Sequence, residues 1–340
     1  MLDDLKNLAR RSKHLTIAYR ISDNWCERMR LSLGKFTHSN GSVIYRHATP
    51  ETTAAYIRRN FEDYVKYAGL SHERLQNLRI LEIGHGDNYG VALLFLAHGA
   101  KNVTCLDKYY STRDAKQERA VYALLRENLA DTLQKRFDQG IHLNEGIHPN
   151  PEKLIPVYGV RLEEAAKHFP PASFDLVISR AVVQYLILDP AFMVMDQLLA
   201  PQGYMIHRID LRDIGMFSRG GLHPLTFLTI SDPLYGLMSS DSPQPNRKRV
   251  GDYRKKMKDL DYATNILITR VLGREEELLP HPAHLRFGEH YTEESLQLLE
   301  AIRPKLLPRF RGLPDQDLLV TGIFLVAAKG TRVLPREAIV

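Results

Sequence analysis

The stretch Leu81-Glu82-Ile83-Gly84-His85-Gly86-Asp87-Asn88-Tyr89-Gly90-Val91-Ala92-Leu93-Leu94 decides how the chain is read. An apolar run that begins at Leu78 stops at a glycine cluster, and a second apolar run resumes at Val91. The pattern predicts a buried strand, a tight turn and a helix. Glycine in such a turn lets the backbone approach a ligand closely, and the helix that follows presents free N–H groups. The next apolar run, Val103-Thr104-Cys105-Leu106, closes on Asp107, 23 positions after Gly84. A carboxylate at the tip of a second strand is placed to accept hydrogen bonds from two ribose hydroxyls.

Two cofactors use this layout, and the residues separate them. A dinucleotide fingerprint G-x-G-x-x-G would need its third glycine at position 89, where Tyr89 stands, and the glycine comes one place later at Gly90. Glu82, just before the turn, is an acid that a pyrophosphate does not need. S-adenosylmethionine (SAM) carries an amino group and a sulfonium, so acids around the turn are compatible with it. SAM is favoured over a nicotinamide dinucleotide.

Outward from this core, hydrophobic periods predict helices over 1–20, 50–68 and 91–98 and a long amphipathic helix over 114–137. Strands are expected at 102–106, 155–158, 174–178 and 204–209. Strands alternating with helices argue for an α/β fold, a mainly parallel sheet with helices on both faces. Two β-rich runs, 265–272 and 318–328, break the alternation, and the second suits a reversed C-terminal strand. Two segments read as insertions: 210–249, rich in Gly, Pro and Ser, and 274–317, with five prolines from Pro280 to Pro314. Long irregular segments are often functional, so 210–249 is expected to be a lid.

At this point a resemblance carries weight. Glu82-Ile83-Gly84-His85-Gly86 resembles motif I of the class I SAM-dependent methyltransferases, whose usual form is acid-x-Gly-x-Gly-x-Gly. Phe174-Asp175-Leu176-Val177-Ile178-Ser179 is similar to that family's fourth-strand motif, and Val182-Val183-Gln184-Tyr185-Leu186 to the helix after it. Leu199-Ala200-Pro201-Gln202-Gly203-Tyr204 resembles the turn into strand five. The likeness covers 78–209 clearly and 264–329 loosely, and it does not specify a substrate.

The resemblance implies a Rossmann-like, seven-stranded sheet with one reversed C-terminal strand. It also implies SAM as cofactor, with Gly84 and Gly86 against its methionine part and Glu82 ordering the turn. Asp107 would hold the ribose, Lys108 or Tyr109 would flank the adenine, and Ser179 and Arg180 would floor the pocket near the methyl group. Helix 60–69 is expected over the cofactor, as in similar families. Two departures stand out. Asn88 occupies the place of the third glycine, and Gly159-Val160-Arg161-Leu162 lacks the Asp that many members place on the adenine amino group.

Methyl transfer needs an aligned nucleophile and, for a hydroxyl, removal of one proton. Candidates belong at the C-terminal ends of strands four and five, where open α/β sheets bind ligands. His207-Arg208-Ile209-Asp210-Leu211-Arg212-Asp213 follows strand five. There His207 is a candidate general base with Asp210 or Asp213 orienting its ring. The same three side chains could bind a divalent ion, but their spacing is not diagnostic and no metal is assigned. Tyr185 and Gln184 are further candidates to meet the acceptor. Arg208, Arg212 and Arg219 suit a carboxylate or phosphate on it, and His223 reaches the site if 210–249 closes.

Ser179-Arg180-Ala181-Val182 stands where amide and base N-methyltransferases carry an Asn-Pro-Pro-Tyr-like tetrad, so an oxygen acceptor is expected. The expected substrate is a small molecule, sugar or lipid-linked glycan, with an anionic one in view. The organisation expected is a helical cap (1–77), the SAM-binding core (78–209), an acceptor-side insertion and helix (210–263), and C-terminal strands completing the sheet (264–330).

Composition supports this class. The chain has 340 residues, 46 Lys and Arg against 40 Asp and Glu, and 44% hydrophobic residues, which excludes a disordered or fibrous protein. Cys26 and Cys105 exclude a disulfide framework. No run approaches the roughly 20 apolar residues of a membrane span, and no signal-type apolar core opens the chain, so a cytoplasmic location is expected. Basic residues cluster from Arg10 to Arg30 and from Arg247 to Lys258. Leu2, Leu5 and Leu8 with Lys6, Arg10 and Arg11 outline a helix for peripheral membrane contact. Three alternatives stay open: an RNA methyltransferase, an NAD-dependent oxidoreductase, and a non-catalytic partner subunit. The basic runs lack the interleaved aromatics of a base-stacking platform, so nucleic acid is not expected. The oligomeric state is left open.

Overall fold

The computed structural model describes residues 11–35, 37–38, 48–143 and 146–330. Seven strands make its main sheet: β1 Arg79–Ile83, β2 Asn102–Asp107, β3 Leu154–Tyr158, β4 Phe174–Arg180, β5 Leu199–Asp210, β6 Ala263–Val271 and β7 Val320–Ala328. Their spatial order is β3-β2-β1-β4-β5-β7-β6. Six run parallel, and β7 lies antiparallel between β5 and β6.

Strand alternation divides the interior in two. Leu81 and Ile83 of β1 face one core with Val177, Met205 and Ile209; Ile80 faces the other with Ile178, Ile206 and Phe324. Apolar side chains facing both ways explain the nearly continuous apolar runs of the central strands. The second core is covered by α2 Pro50–Ala68, α3 Gly90–Ala97, α4 Ala115–Glu127 and α5 Asp131–Gly140. The first is covered by α6 Leu188–Leu198, α8 Val250–Asp259 and α9 Glu293–Ile302. Two further helices, α1 Lys13–Ser32 and α7 Asp232–Ser239, pack on each other.

Several expectations change. The helix foreseen over 114–137 is two helices: Asn128 donates to the Leu124 carbonyl, closing α4, and an extended Ala130 starts α5. α2 packs mainly on the sheet while touching the glycine turn through Ile57. Its Ile57, Phe61, Tyr64 and Tyr67 are buried in the sheet's second core, with Phe61 edge-on to Phe95. Of the helix foreseen over 1–20, the described part starts at Lys13 and runs to Ser32; Leu2, Leu5, Leu8, Lys6 and Arg10 lie outside the described residues.

The segment 210–249 is not a loose lid. Leu211, Met216, Phe217, Leu225, Phe227, Leu228 and Ile230 are all buried in the first core. Asp213 ties the entry by accepting the N–H groups of Gly215, Phe217 and Ser218. The later basic run is also structural. Arg249, 1% exposed, donates to the carbonyls of Leu211, Asp317, Leu318 and Val320. Arg247 pairs with Asp232, Lys256 with Asp189, and Arg254 with Asp317. Among the described residues, no helix is long and apolar enough to cross a membrane.

Candidate functional site

The C-terminal ends of β1, β2 and β4 converge on the glycine turn. Gly84 and Gly86 both have left-handed φ, +72° and +71°, which explains why this turn needs glycine twice. Their surroundings differ. A Cβ on Gly84 would stand 2.3 Å from Val182 Cγ2, in the loop after β4, whereas one on Gly86 would meet nothing within 4 Å. Gly84 therefore lets two strand ends touch, and Gly86 leaves backbone facing open space.

This contrast gives a paired expectation. Gly84→Ala should destabilise the fold by about 2–4 kcal/mol through strain plus overlap. Gly86→Ala should cost about 1–2 kcal/mol from backbone strain alone. Urea melts of both variants test this, and Val182→Ala should restore part of the Gly84→Ala loss and none of the other.

Asn88 solves its departure from the motif locally. Its Oδ1 accepts the Gly90 N–H at 2.9 Å and its Nδ2 donates to Asp87 Oδ1 at 3.2 Å, so an Asx turn replaces the third glycine. Gly90 serves packing instead, because a Cβ there would fall 2.6 Å from Ile57 Cδ1 of α2.

Asp107 ends β2 beside this turn. It accepts the N–H groups of Tyr109, at 2.9 Å, and Gly86, and burial pushes its carboxyl up to about 6. Glu82 lies buried one layer below. Its Oε2 accepts a long contact from Cys105 Sγ at 3.8 Å, and burial raises its carboxyl to about 8. Lys108 stands over the Tyr109 ring and donates to its hydroxyl at 2.8 Å. Tyr109 in turn donates to Glu27 of α1.

Sequence reasoning missed an aromatic group at the ends of β1–β3. The Tyr89 and Tyr158 hydroxyls meet at 2.7 Å, His85 Nε2 meets Tyr158 at 3.1 Å, and the Arg113 guanidinium covers the Tyr89 ring at 3.7 Å. Tyr110, 49% exposed, stacks on Tyr158, the register partner of Asp107. Burial, with Arg113 nearby, holds His85 down to about 3.

The polar cluster after strand five is dispersed by the strand itself, because β5 continues to Asp210 and alternation turns successive side chains to opposite faces. His207 is fully buried in the first core, with Nδ1 at 2.8 Å from Ser179 Oγ and its ring edge-on to Phe192. Burial lowers its pKa to about 3. It is a neutral core residue, not a base at the mouth, and Ser179 shares that interior position instead of flooring a pocket. Asp210 is held by Arg212, which donates to both its oxygens, and Asp213 caps a turn, so neither orients His207. The three do not converge as metal ligands. His223 is also structural, facing the Leu298 carbonyl and accepting the Leu225 N–H. Tyr185 is partly buried, with its pKa raised by burial and by Asp210.

Arg180 and Arg208 are register partners on β4 and β5 and sit on the α2 side. Arg180 donates to Asp63 at 2.8 Å, and Arg208 pairs with Glu277 and approaches Asp63 at 3.7 Å. Arg59 and Arg270 also bind Glu277, at 2.9 and 3.0 Å. Four guanidiniums thus share two carboxylates. Arg208 Nη1 is buried without a hydrogen-bond acceptor, and burial together with the Arg180 charge lowers the pKa of Arg208.

Strand order and the reversed β7 give the sheet the Rossmann-like arrangement of a methyltransferase fold, with the glycine turn at the end of β1. No family model matches the chain, and no curated protein matches it. Similar solved structures include a SAM-dependent methyltransferase from Mesorhizobium loti, at 16% identity over 79% of this chain and 98% of that one, TM-score 0.38. Another from Archaeoglobus fulgidus shows 14% identity over 83% and 95%, TM-score 0.38. A third is geranyl diphosphate C-methyltransferase from Streptomyces coelicolor, at 12% identity over 80% and 75%, TM-score 0.39.

Proposed function

We propose that the chain is a SAM-dependent methyltransferase acting on an oxygen of an anionic acceptor, such as a small molecule, sugar or lipid-linked glycan bearing a carboxylate or phosphate. The observation that carries the cofactor reading is the joint of turn and strand tip: Asp107 accepts the Gly86 N–H while Gly86 itself faces open space. A bidentate carboxylate beside an open glycine backbone fits a ribose with its attached chain. Tyr110 supplies an exposed ring next to Asp107 for a base to lie against. SAM when bound supplies a methyl group already activated by positive sulfur. The chain's part is to hold it, align the acceptor and exclude water.

The anionic acceptor rests on the excess of guanidinium over carboxylate around Arg180 and Arg208. An oxygen that is already ionised needs no general base, which agrees with the burial of His207. Arginine also binds carboxylate and phosphate through paired donors.

Calorimetry with SAM and, separately, NADH tests the cofactor. Binding of SAM alone is expected; binding of NADH alone would make the protein an oxidoreductase, and binding of neither would leave a non-catalytic subunit. With carboxylated and phosphorylated sugars as acceptors, Arg208→Gln should raise KM by about tenfold or more while SAM affinity holds. Unchanged KM would remove the anion reading and leave the cofactor reading intact.

A further inference from the structure

The described part of α1 carries an apolar stripe that nothing among the described residues covers. Leu15, Tyr19, Trp25, Met29 and, just past its end, Leu33 are 54%, 62%, 61%, 57% and 68% exposed. They follow the helical period along one side, and the exposed Cys26 lies among them. The opposite side is the one that packs inward. Thr16, Ile17, Asn24 and Glu27 are buried, and Asn24 binds the Leu237 carbonyl, the Ser240 hydroxyl and the N–H groups of Asp241 and Ser242. The outward stripe is therefore surplus to what holds α1 in place. Single exposed apolar residues are ordinary, but a continuous row on one helix face marks an interaction surface.

We infer that this face of α1 docks on an anionic lipid surface. Charge decides the occupant. Residues 11–35 hold Arg11, Lys13, Arg20, Arg28, Arg30 and Lys35 against Asp23 and Glu27, so a net +4 of the chain's +6 sits in this one helix and its ends. Arg28 and Arg30, 66% and 45% exposed in their side chains, lie beside the stripe while pairing with Asp241 at 3.4 Å and Glu27 at 3.5 Å. A basic helix with Trp, Tyr, Leu and Met along one side is built to lie in the plane of a headgroup layer, with aromatic rings at the interface and basic side chains toward acidic lipid. A second copy on the same face would bring two such positive helices together. The inference does not depend on the methyltransferase reading. It adds one consequence to it, since Glu27 on the inward side of α1 takes the Tyr109 hydrogen bond next to Asp107 and so joins the docking helix to the cofactor end.

Trp25 is the only tryptophan in the chain, so its emission reports this face directly. The full-length protein is titrated with vesicles of phosphatidylglycerol and phosphatidylcholine in equal parts, and with phosphatidylcholine alone. The expected result is a saturable blue shift with the anionic vesicles, at least tenfold weaker with the neutral ones and reversed by added salt. A Leu15→Glu/Met29→Glu variant, both positions exposed so that far-UV circular dichroism should be unchanged, should bind at least tenfold more weakly. Absence of a shift with anionic vesicles would overturn the inference. So would wild-type binding by the variant, or a shift that follows protein concentration without lipid, which would assign the stripe to a second copy.

Discussion

Asp107→Ala should lower SAM affinity by about ten- to a hundredfold, and Asp107→Asn by clearly less. The carboxylate is positioned for two tasks. It accepts the N–H groups of Gly86 and Tyr109, and thereby fixes the glycine turn relative to the end of β2. Its remaining lone pairs face the position proposed for the ribose hydroxyls. Alanine removes both, leaving two backbone donors to find water and the ligand without its paired acceptor. Asparagine keeps one carbonyl oxygen for the backbone and loses the second acceptor and the charge. Calorimetry of the three proteins separates the tasks. If Ala and Asn weaken binding equally, ribose contact dominates; if Asn binds like wild type, the turn is what Asp107 supplies. No loss in either variant would remove Asp107 from the cofactor site. Because the folded carboxyl already carries a burial cost, with its pKa near 6, the melting temperature should change little beside the affinity.

The parts of this molecule that local chemistry dictates were readable, and those that depend on distant partners were not. The turn from Gly84 to Gly90 and Asp107 at the next strand tip follow from backbone conformations and apolar runs that the residues themselves specify. The place of β7 followed from a long β-rich run after the alternation ended. The Arg180–Asp63–Arg208–Glu277 group could not be seen, because its members come from α2, β4, β5 and the segment after β6 and meet only through the sheet order. His207 was misread for a related reason: it lies inside the strand expected over 204–209, and alternation aims it into the layer at Ser179, not at the mouth. In 210–249 the buried residues recur without a helical or strand period, and such irregular packing looks like loop in a linear pattern. The basic run from Arg247 hid its role because backbone carbonyls, which absorb the Arg249 guanidinium, have no sequence signal.

Glu82→Gln should remove a contribution by which wild-type stability falls by about 2 kcal/mol between pH 6.5 and 8, read as the difference between the two proteins' pH profiles. The sign follows from the direction of each shift. Burial raises Glu82 from the ordinary carboxylate range to about 8, so the folded protein holds a proton that the unfolded chain has released. Stability is then lost as pH rises toward 8. His207 and His85 are shifted the other way, to about 3, and lose stability as pH falls below the usual histidine value. Asp107, near 6, is mostly ionised by pH 6.5 and adds little to the slope above it. From pH 6.5 to 8 the unfolded chain's histidines still release protons, so urea melts of wild type and Glu82→Gln are compared at each pH and their difference isolates Glu82. The same proton should couple to the proposed cofactor. SAM brings an amino group and a sulfonium toward the turn above Glu82, and positive charge favours the ionised carboxylate. Its affinity should rise with pH across this window by up to about tenfold in wild type, with a proton released on binding, and stay flat in Glu82→Gln. A flat profile in both proteins, with the stability slope still present, would place Glu82 beneath the turn as a structural acid out of reach of the cofactor's charge.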